Sequence, residues 1–423
     1  MNICMVAYTF YESDNRVMRY SEALAARGDQ VEVICLGRKG QLAAEVLRGV
    51  RVFRIQTRAR DEKTKRSYLF RIVQFFLKAV AVVAGRSMHT RYSVVHVHSM
   101  PDFLVFAGSG ARLLGAKLIL DIHDLLPEFY TAKFKISPSS VTANLLRLEE
   151  RLSTSFADHV IAPNHLWHEK LISRSVPASK CTVIMNYPDT QIFSRRGPTR
   201  TSSKFVMIYP GSLNAHQGVD VAIKAFAKIK DRFPATEFRI FGEGPALGNI
   251  VHLVSELGLN GRVLVHKPVP LHEIAAEIQN SDLGVVPKRN DLFGDEAFST
   301  KIFEFMVMKV PVIVSDTRID RFYFNDEVVT FCESGNVDSL ADCMTRLIED
   351  PNARQRQVMR AEHFMENYNW DVKRRDYLEL VDRLSHKDQL LSSRVEVRGE
   401  PLITKGESPI PEDPRHRQSG QPT

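Results

Sequence analysis

Short runs of β-branched and aliphatic residues recur along the first half of the chain at 3–8, 31–35, 94–98 and 117–122, separated by more polar, helix-forming stretches. Runs this short, apolar on both faces, predict strands of a parallel sheet covered by helices on either side. Residues 16–27 place Val17, Tyr20, Leu24 and Ala25 at helical spacing and stop at Gly28, which predicts the first crossover helix. A second series opens after the Pro- and Gly-containing segment 195–203, with strands expected at 205–209, 237–241, 263–266, 283–286 and 310–314. The restart predicts an α/β protein of two Rossmann-like, doubly wound parallel-sheet domains, 1–198 and 199–368, then a helix at 369–385 and a disordered tail at 386–423. Open sheets bind ligands beyond the carboxyl ends of their strands, so the chemistry is expected in a cleft between the two domains.

Bulk properties narrow the partners. At 423 residues the chain exceeds the size at which one core stops growing. Its net charge of +7 comes with neither an RNA-binding signature nor Cys/His finger spacing, so no nucleic acid is expected, and anionic partners such as phosphates or lipid head groups fit the charge. The five cysteines are scattered among apolar runs, which predicts buried free thiols. The N-terminus starts a strand at once, without signal-peptide regions, and no apolar run is long enough to span a bilayer; a cytoplasmic location is expected. Residues 66–86 join aromatic and aliphatic bulk to Arg66, Arg71, Lys78 and Arg86. Two readings stand: an amphipathic helix on an anionic membrane surface, or one docked on its own sheet with its basic residues in water.

The sharpest chemical signal is Glu296 and Glu304 with seven residues between them, running into an apolar strand. Ser299 or Thr300 can cap a helix whose first amides face a diphosphate, and Lys301 adds a positive charge there. Gly211 ends a strand and precedes a helix, the setting in which backbone approaches a phosphate. His123 and Asp124, with Glu128 beyond them, follow a buried strand at its carboxyl edge, where a ligand cleft is expected.

This arrangement resembles glycosyltransferase family 4, retaining enzymes of the GT-B fold, over nearly the whole chain to about residue 385. The resemblance implies a metal-independent hexosyltransferase that moves a sugar from a nucleotide-diphosphate sugar to an acceptor hydroxyl, with the donor as co-substrate and no cofactor. It implies that Glu304 accepts from the ribose hydroxyls, that Glu296 holds a hydroxyl of the transferred sugar, and that His123 faces the donor sugar. Lys301 and helix amides would stabilise the leaving diphosphate. The helix at 369–385 looks like the one that crosses back onto the first domain in this fold. Gly242 and Gly244, near the base in the family, are equally explained by a tight turn.

The chain departs from the family in three places. Ser212 and Gln217 stand where an Arg and a Lys usually hold the diphosphate, and Lys288, Arg289 or Lys301 would substitute. Lys309 stands where Gly usually closes the motif helix, which makes a Schellman-type end less expected. Asp14, Asn15 and Arg16 replace the Gly-rich loop after the first strand, and are read either as acceptor-side groups or as a helix cap. His96 and His98 alternate onto one face but lack a third ligand by this reading, so no metal site is expected. The acceptor implied is a glycan or a lipid-linked sugar, in cell-surface polysaccharide or glycolipid assembly. Two rivals remain: a nucleotide-sugar 2-epimerase on the same fold, and a non-catalytic partner in a polysaccharide assembly complex.

Overall fold

The structure, a computed structural model, describes residues 1–58, 65–195 and 204–385. Most of the expected linker, 196–203, and the tail 386–423 lie outside the described residues. The first sheet contains β1 (Asn2–Phe10), β2 (Gln30–Gly37), β3 (Ala44–Leu47), β4 (Val50–Thr57), β5 (Val94–His98), β6 (Lys117–Asp121), β7 (His159–Ala162) and β8 (Cys181–Val183), in the order β3-β4-β2-β1-β5-β6-β7-β8. Only the β3–β4 pair is antiparallel, a hairpin that the sequence reading missed. The second sheet, β9 (Phe205–Pro210), β10 (Thr236–Phe241), β11 (Val263–His266), β12 (Leu283–Val286), β13 (Val312–Ser315) and β14 (Thr330–Cys332), is wholly parallel, in the order β11-β10-β9-β12-β13-β14.

Strand order reverses between β1 and β5 in the first sheet and between β9 and β12 in the second. At such switch points adjacent crossovers leave to opposite faces and open a crevice. The register puts Ala7, His98 and Asp121 side by side across β1, β5 and β6, so the first crevice opens onto those residues.

Local chemistry explains where the elements end. Asp14 accepts from the amides of Arg16 and Val17, both at 3.2 Å, and caps the helix Asn15–Ala26, which buries Val17, Tyr20 and Leu24. The helix Thr300–Val307 closes at Lys309, whose φ is +57°: its amide donates to the Met306 carbonyl and that of Val310 to the Phe305 carbonyl. This is the Schellman pattern, formed here without glycine, and the expectation of a less definite end is corrected. It also delays β13, which starts at Val312 rather than Val310.

The two sheets share a core. The helix Trp370–Leu384 packs on the first domain, Tyr377 stacking on Tyr20 at 4.1 Å with its hydroxyl 2.9 Å from His96 Nδ1. The helix Lys65–Ser87 buries Ile72, Phe75, Ala79 and Val83 against the first sheet, while Leu69, Phe70, Val73 and Leu77 stay exposed. The docked reading therefore describes one face only. All five cysteines are buried and unpaired, and burial pushes the Cys35 and Cys181 thiols up to about 12. No described helix is long and apolar enough to cross a membrane.

Candidate functional site

The second-domain wall begins where β9 ends. The turn at Gly211 lies directly on the turn after β10: the Gly211 amide donates to the Phe241 carbonyl at 2.8 Å and that of Leu213 to the Glu243 carbonyl at 2.9 Å. A Cβ on Gly242 would stand 1.9 Å from the Gly211 carbonyl oxygen, and one on Gly244 2.5 Å from that of Leu213. These two glycines therefore let two strand-end turns cross. Lys301 lies over Gly211, where a Cβ would meet its Cε at 2.1 Å, and its Nζ is 3.4 Å from Gln217 Oε1. Burial pushes the Lys301 ammonium down to about 8, against the opposing pull of Glu304. Gln217 also accepts from the Tyr209 hydroxyl at 3.1 Å, and Ser212 is exposed.

Ser299 occupies the N-cap position of Thr300–Val307, but its side chain makes no capping bond and its buried hydroxyl has no partner. The helix start thus has no side-chain cap: the Ile302 amide donates to the Ser299 carbonyl at 3.2 Å, and the Ser299 hydroxyl is left without a partner. Glu304 lies one turn further along; burial raises its carboxyl above the ordinary value, opposed by Lys301 and Arg19.

Two of the proposed diphosphate cations are otherwise engaged. Lys288 is 2 % exposed and donates to the Ala297 carbonyl at 2.6 Å, with Asp320 Oδ2 2.9 Å away. Its expected donor contact is corrected: a buried ammonium needs its anion, so Lys288 anchors the loop before the helix. Arg289 is held by Asp220 at 2.6 Å and by the Ala215 carbonyl.

Glu296 bridges the domains. Its carboxylate receives Lys170 of the first domain and Arg318 of the second, the latter at 3.2 Å, and its carbonyl accepts from Asn164 Nδ2 at 3.1 Å. Lys170 and Asn164 carry no motif in the sequence and were missed there.

The first-domain wall centres on Asp121, also missed, although a carboxylate ending a buried parallel strand was a signal. Arg16, 4 % exposed, forks onto it and reaches the Ile184 carbonyl at 2.8 Å. Acceptor binding by the Arg16 guanidinium is accordingly corrected, and Asp14 is a cap, as its alternative reading held. Burial opposes ionisation of Asp121, but Arg16 and His123 override it and hold the carboxyl well below the usual range. His123 Nε2 lies 3.2 Å and His98 Nδ1 3.0 Å from Asp121 Oδ2.

Asp121 thereby supplies the third metal-type group that the sequence reading denied to His96 and His98, all three offering ligand atoms within 4.8 Å of one another. The trio still does not fit a cation, because Arg16 already occupies both oxygens of the only carboxylate and would face the ion at contact distance. Burial instead keeps both imidazoles below their ordinary pKa, hence neutral.

Two cavities of about 330 Å³ lie between the walls. One collects Asp14, Asn15, His123 and Asp124 from the first domain with Phe298 and Thr300 from the second. Burial pushes the Asp124 carboxyl up to about 6. The other joins Glu128, Arg147 and Lys170 to Asp291, Asp295 and Glu296. Glu128 is held there by Arg174 at 2.6 Å. Arg16 also lines the first cavity, with its guanidinium engaged by Asp121.

Comparisons with known proteins agree with this architecture. The chain matches the family described as Glycosyl transferase 4-like domain at residues 13–187 and Glycosyl transferases group 1 at 191–364. It is 24% identical over 302 residues to Alpha-D-kanosaminyltransferase of Streptomyces kanamyceticus, taking in 66% of this chain and 75% of the relative. Among solved structures it is similar to sucrose-phosphate synthase from Thermosynechococcus elongatus, at TM-score 0.69 and 17% identity over 94% of this chain and 99% of the other. It is likewise similar to Anabaena HepE in complex with UDP-glucose, at TM-score 0.64 and 15% identity over 92% and 99%. With both halves matched and two parallel sheets facing across a cleft, the chain belongs to the family 4 glycosyltransferases of the GT-B fold.

Proposed function

We propose that this glycosyltransferase moves a sugar, with retention and without a metal, from a nucleoside-diphosphate sugar to an acceptor hydroxyl. The observation that carries the reading is the Thr300–Val307 helix start: amides that no side chain caps, the unpartnered Ser299 hydroxyl and Lys301 lying over Gly211. Such a group of donors suits a diphosphate, because it offers hydrogen-bond donors and positive potential at one place. Gln217 and Ser212 contribute polar contacts at most, so Lys301 carries the charge that family members share between an Arg and a Lys.

With the diphosphate there, Glu304 takes the ribose hydroxyls. The sugar extends into the cavity that Thr300 and Phe298 share with His123 and Asp124, and by the family resemblance Glu296, which lines the other cavity, holds a sugar hydroxyl. The acceptor enters from the first-domain side past Asn15, Asp124 and Glu128. As the bond from the anomeric carbon to the phosphate oxygen breaks, the acceptor oxygen bonds to the same face and its proton passes to the departing phosphate oxygen. Lys301 and the amides take up the charge on that leaving group.

The structure of HepE with UDP-glucose supports a nucleoside-diphosphate sugar as donor class. The basic helix at 66–86 supports a lipid-linked acceptor presented at the cytoplasmic face of an anionic membrane, in cell-surface polysaccharide or glycolipid assembly. The test is nucleoside diphosphate release from a panel of nucleotide sugars in EDTA with membrane extract as acceptor, comparing wild type with Glu304→Ala and His123→Ala. EDTA-resistant release that falls in both variants is expected. Release from no donor defeats the reading, and sugar interconversion without net release identifies an epimerase.

A further inference from the structure

We propose that the helices Lys65–Ser87 and Val141–Phe156 together form a docking face for an anionic lipid bilayer. This deepens the membrane-presented acceptor reading above and rests on it. The second helix carries the argument, because its amphipathicity is inverted. Val141, Leu145, Leu148 and Leu152 recur at helical spacing and are 75%, 60%, 52% and 55% exposed, while Glu150, Ser153 and Thr154 on the opposite side are buried. A helix whose only task is to cover a soluble domain turns its leucines inward. Leu69, Phe70, Val73 and Leu77 extend the apolar surface on the first helix. Both helices flank the segment Asp102–Gly108 on one side of the first sheet.

Charge decides the partner. The helix Lys65–Ser87 contains no carboxylate, and the three on Asp102–Gly108 and Val141–Phe156 all turn inward. Asp102 is 1% exposed; Glu149 accepts from Ser153 at 3.3 Å; Glu150 is bound by Arg174 at 2.5 Å. Outward or at the rim stand Lys78, Arg147 and Arg151. An apolar face edged by cations, with no described carboxylate on these elements directed outward, complements anionic head groups. It opposes a second copy of itself, because a two-fold contact would set cations against cations. Arg147 also lines the cavity that holds Glu296, so the face runs into the cleft, where a bilayer-borne acceptor would enter.

The experiment is co-sedimentation of the full chain with vesicles of equimolar phosphatidylglycerol and phosphatidylcholine, and with phosphatidylcholine alone. Donor-dependent nucleoside diphosphate release and sedimentation velocity are measured on the same proteins. Wild type is expected to prefer the anionic vesicles, each basic residue contributing about fivefold. The exposed-site variants Leu145→Ser/Leu148→Ser/Leu152→Ser and Phe70→Ser/Leu77→Ser should each bind at least about tenfold more weakly, with thermal midpoint and vesicle-free release unchanged. Wild-type-like binding by the Leu145 triple variant overturns the proposal, as does equal binding to both vesicles or a dimer that the triple variant dissociates. Lost vesicle binding with release intact would defeat the docking face alone, and vesicle binding without release from any donor would defeat the transferase reading alone.

Discussion

The Arg16 guanidinium forks onto the Asp121 carboxylate, Nε to Oδ2 at 2.7 Å and Nη2 to Oδ1 at 2.6 Å, and the same Oδ2 faces His123 at 3.2 Å. One buried ion pair thus joins the first helix, the end of β6 and the histidine that faces the cleft. Arg16→Met leaves the carboxylate buried without its cation and is expected to destabilise the protein by about 3–5 kcal/mol in urea unfolding. Arg16→Met/Asp121→Leu should recover much of that loss, since an apolar pair needs no solvation, yet turnover should stay low because His123 has lost its partner. Because the folded carboxyl is held below its ordinary value, the pair's contribution is complete above the unfolded pKa of about 3.9 and is lost as pH falls below it. Acid titration of wild type against the double variant checks this.

Lys301 is expected to make donor binding pH-dependent. Its ammonium, pushed down to about 8 by burial, is charged below that pH and neutral above it, so affinity for a nucleoside diphosphate should fall as pH rises through 8. Calorimetric titration should show proton uptake on binding near that pH. Lys301→Arg should remove the dependence, because a guanidinium stays charged throughout.

The two motif glutamates should separate by ligand. Glu304→Ala is expected to weaken nucleoside diphosphate binding by about 1.5–3 kcal/mol, the range for a hydrogen bond to a charged group. Glu296→Ala should leave that affinity unchanged and lower turnover about a hundredfold, since its proposed contact is to the sugar alone. Equal effects of both variants on diphosphate affinity would contradict the assigned division.

Lys309 holds φ +57°, a conformation that costs a residue with a Cβ. Lys309→Gly should stabilise the protein by about 0.5–1 kcal/mol in thermal or urea unfolding. The ion pair it gives up, to Glu362, is half exposed and adds little.

Much of the fold was legible because it rests on local pattern. Strands at 94–98, 263–266 and 283–286 and the helix from Trp370 are found where apolar runs and helical spacing placed them. β3, β4, β7, β8 and β14 escaped; β8 and β14 are three residues each, too short for alternation to register. In the site, Glu296, Lys301 and Glu304 announced themselves by spacing. Lys170 and Asn164 did not, since they meet Glu296 only across the domain gap.

The sequence by itself determined two parallel α/β units, the carboxyl-edge location of His123 and the glutamate motif, because period, strand composition and helix ends are short-range properties. Tertiary structure decided what each charge does. It sent Lys288 to Asp320 and Arg16 to Asp121, left Lys301 over Gly211, and turned the leucines of Val141–Phe156 outward. A charged group's role depends on which opposite charge reaches it and how much water remains beside it, and residues far apart along the chain settle both.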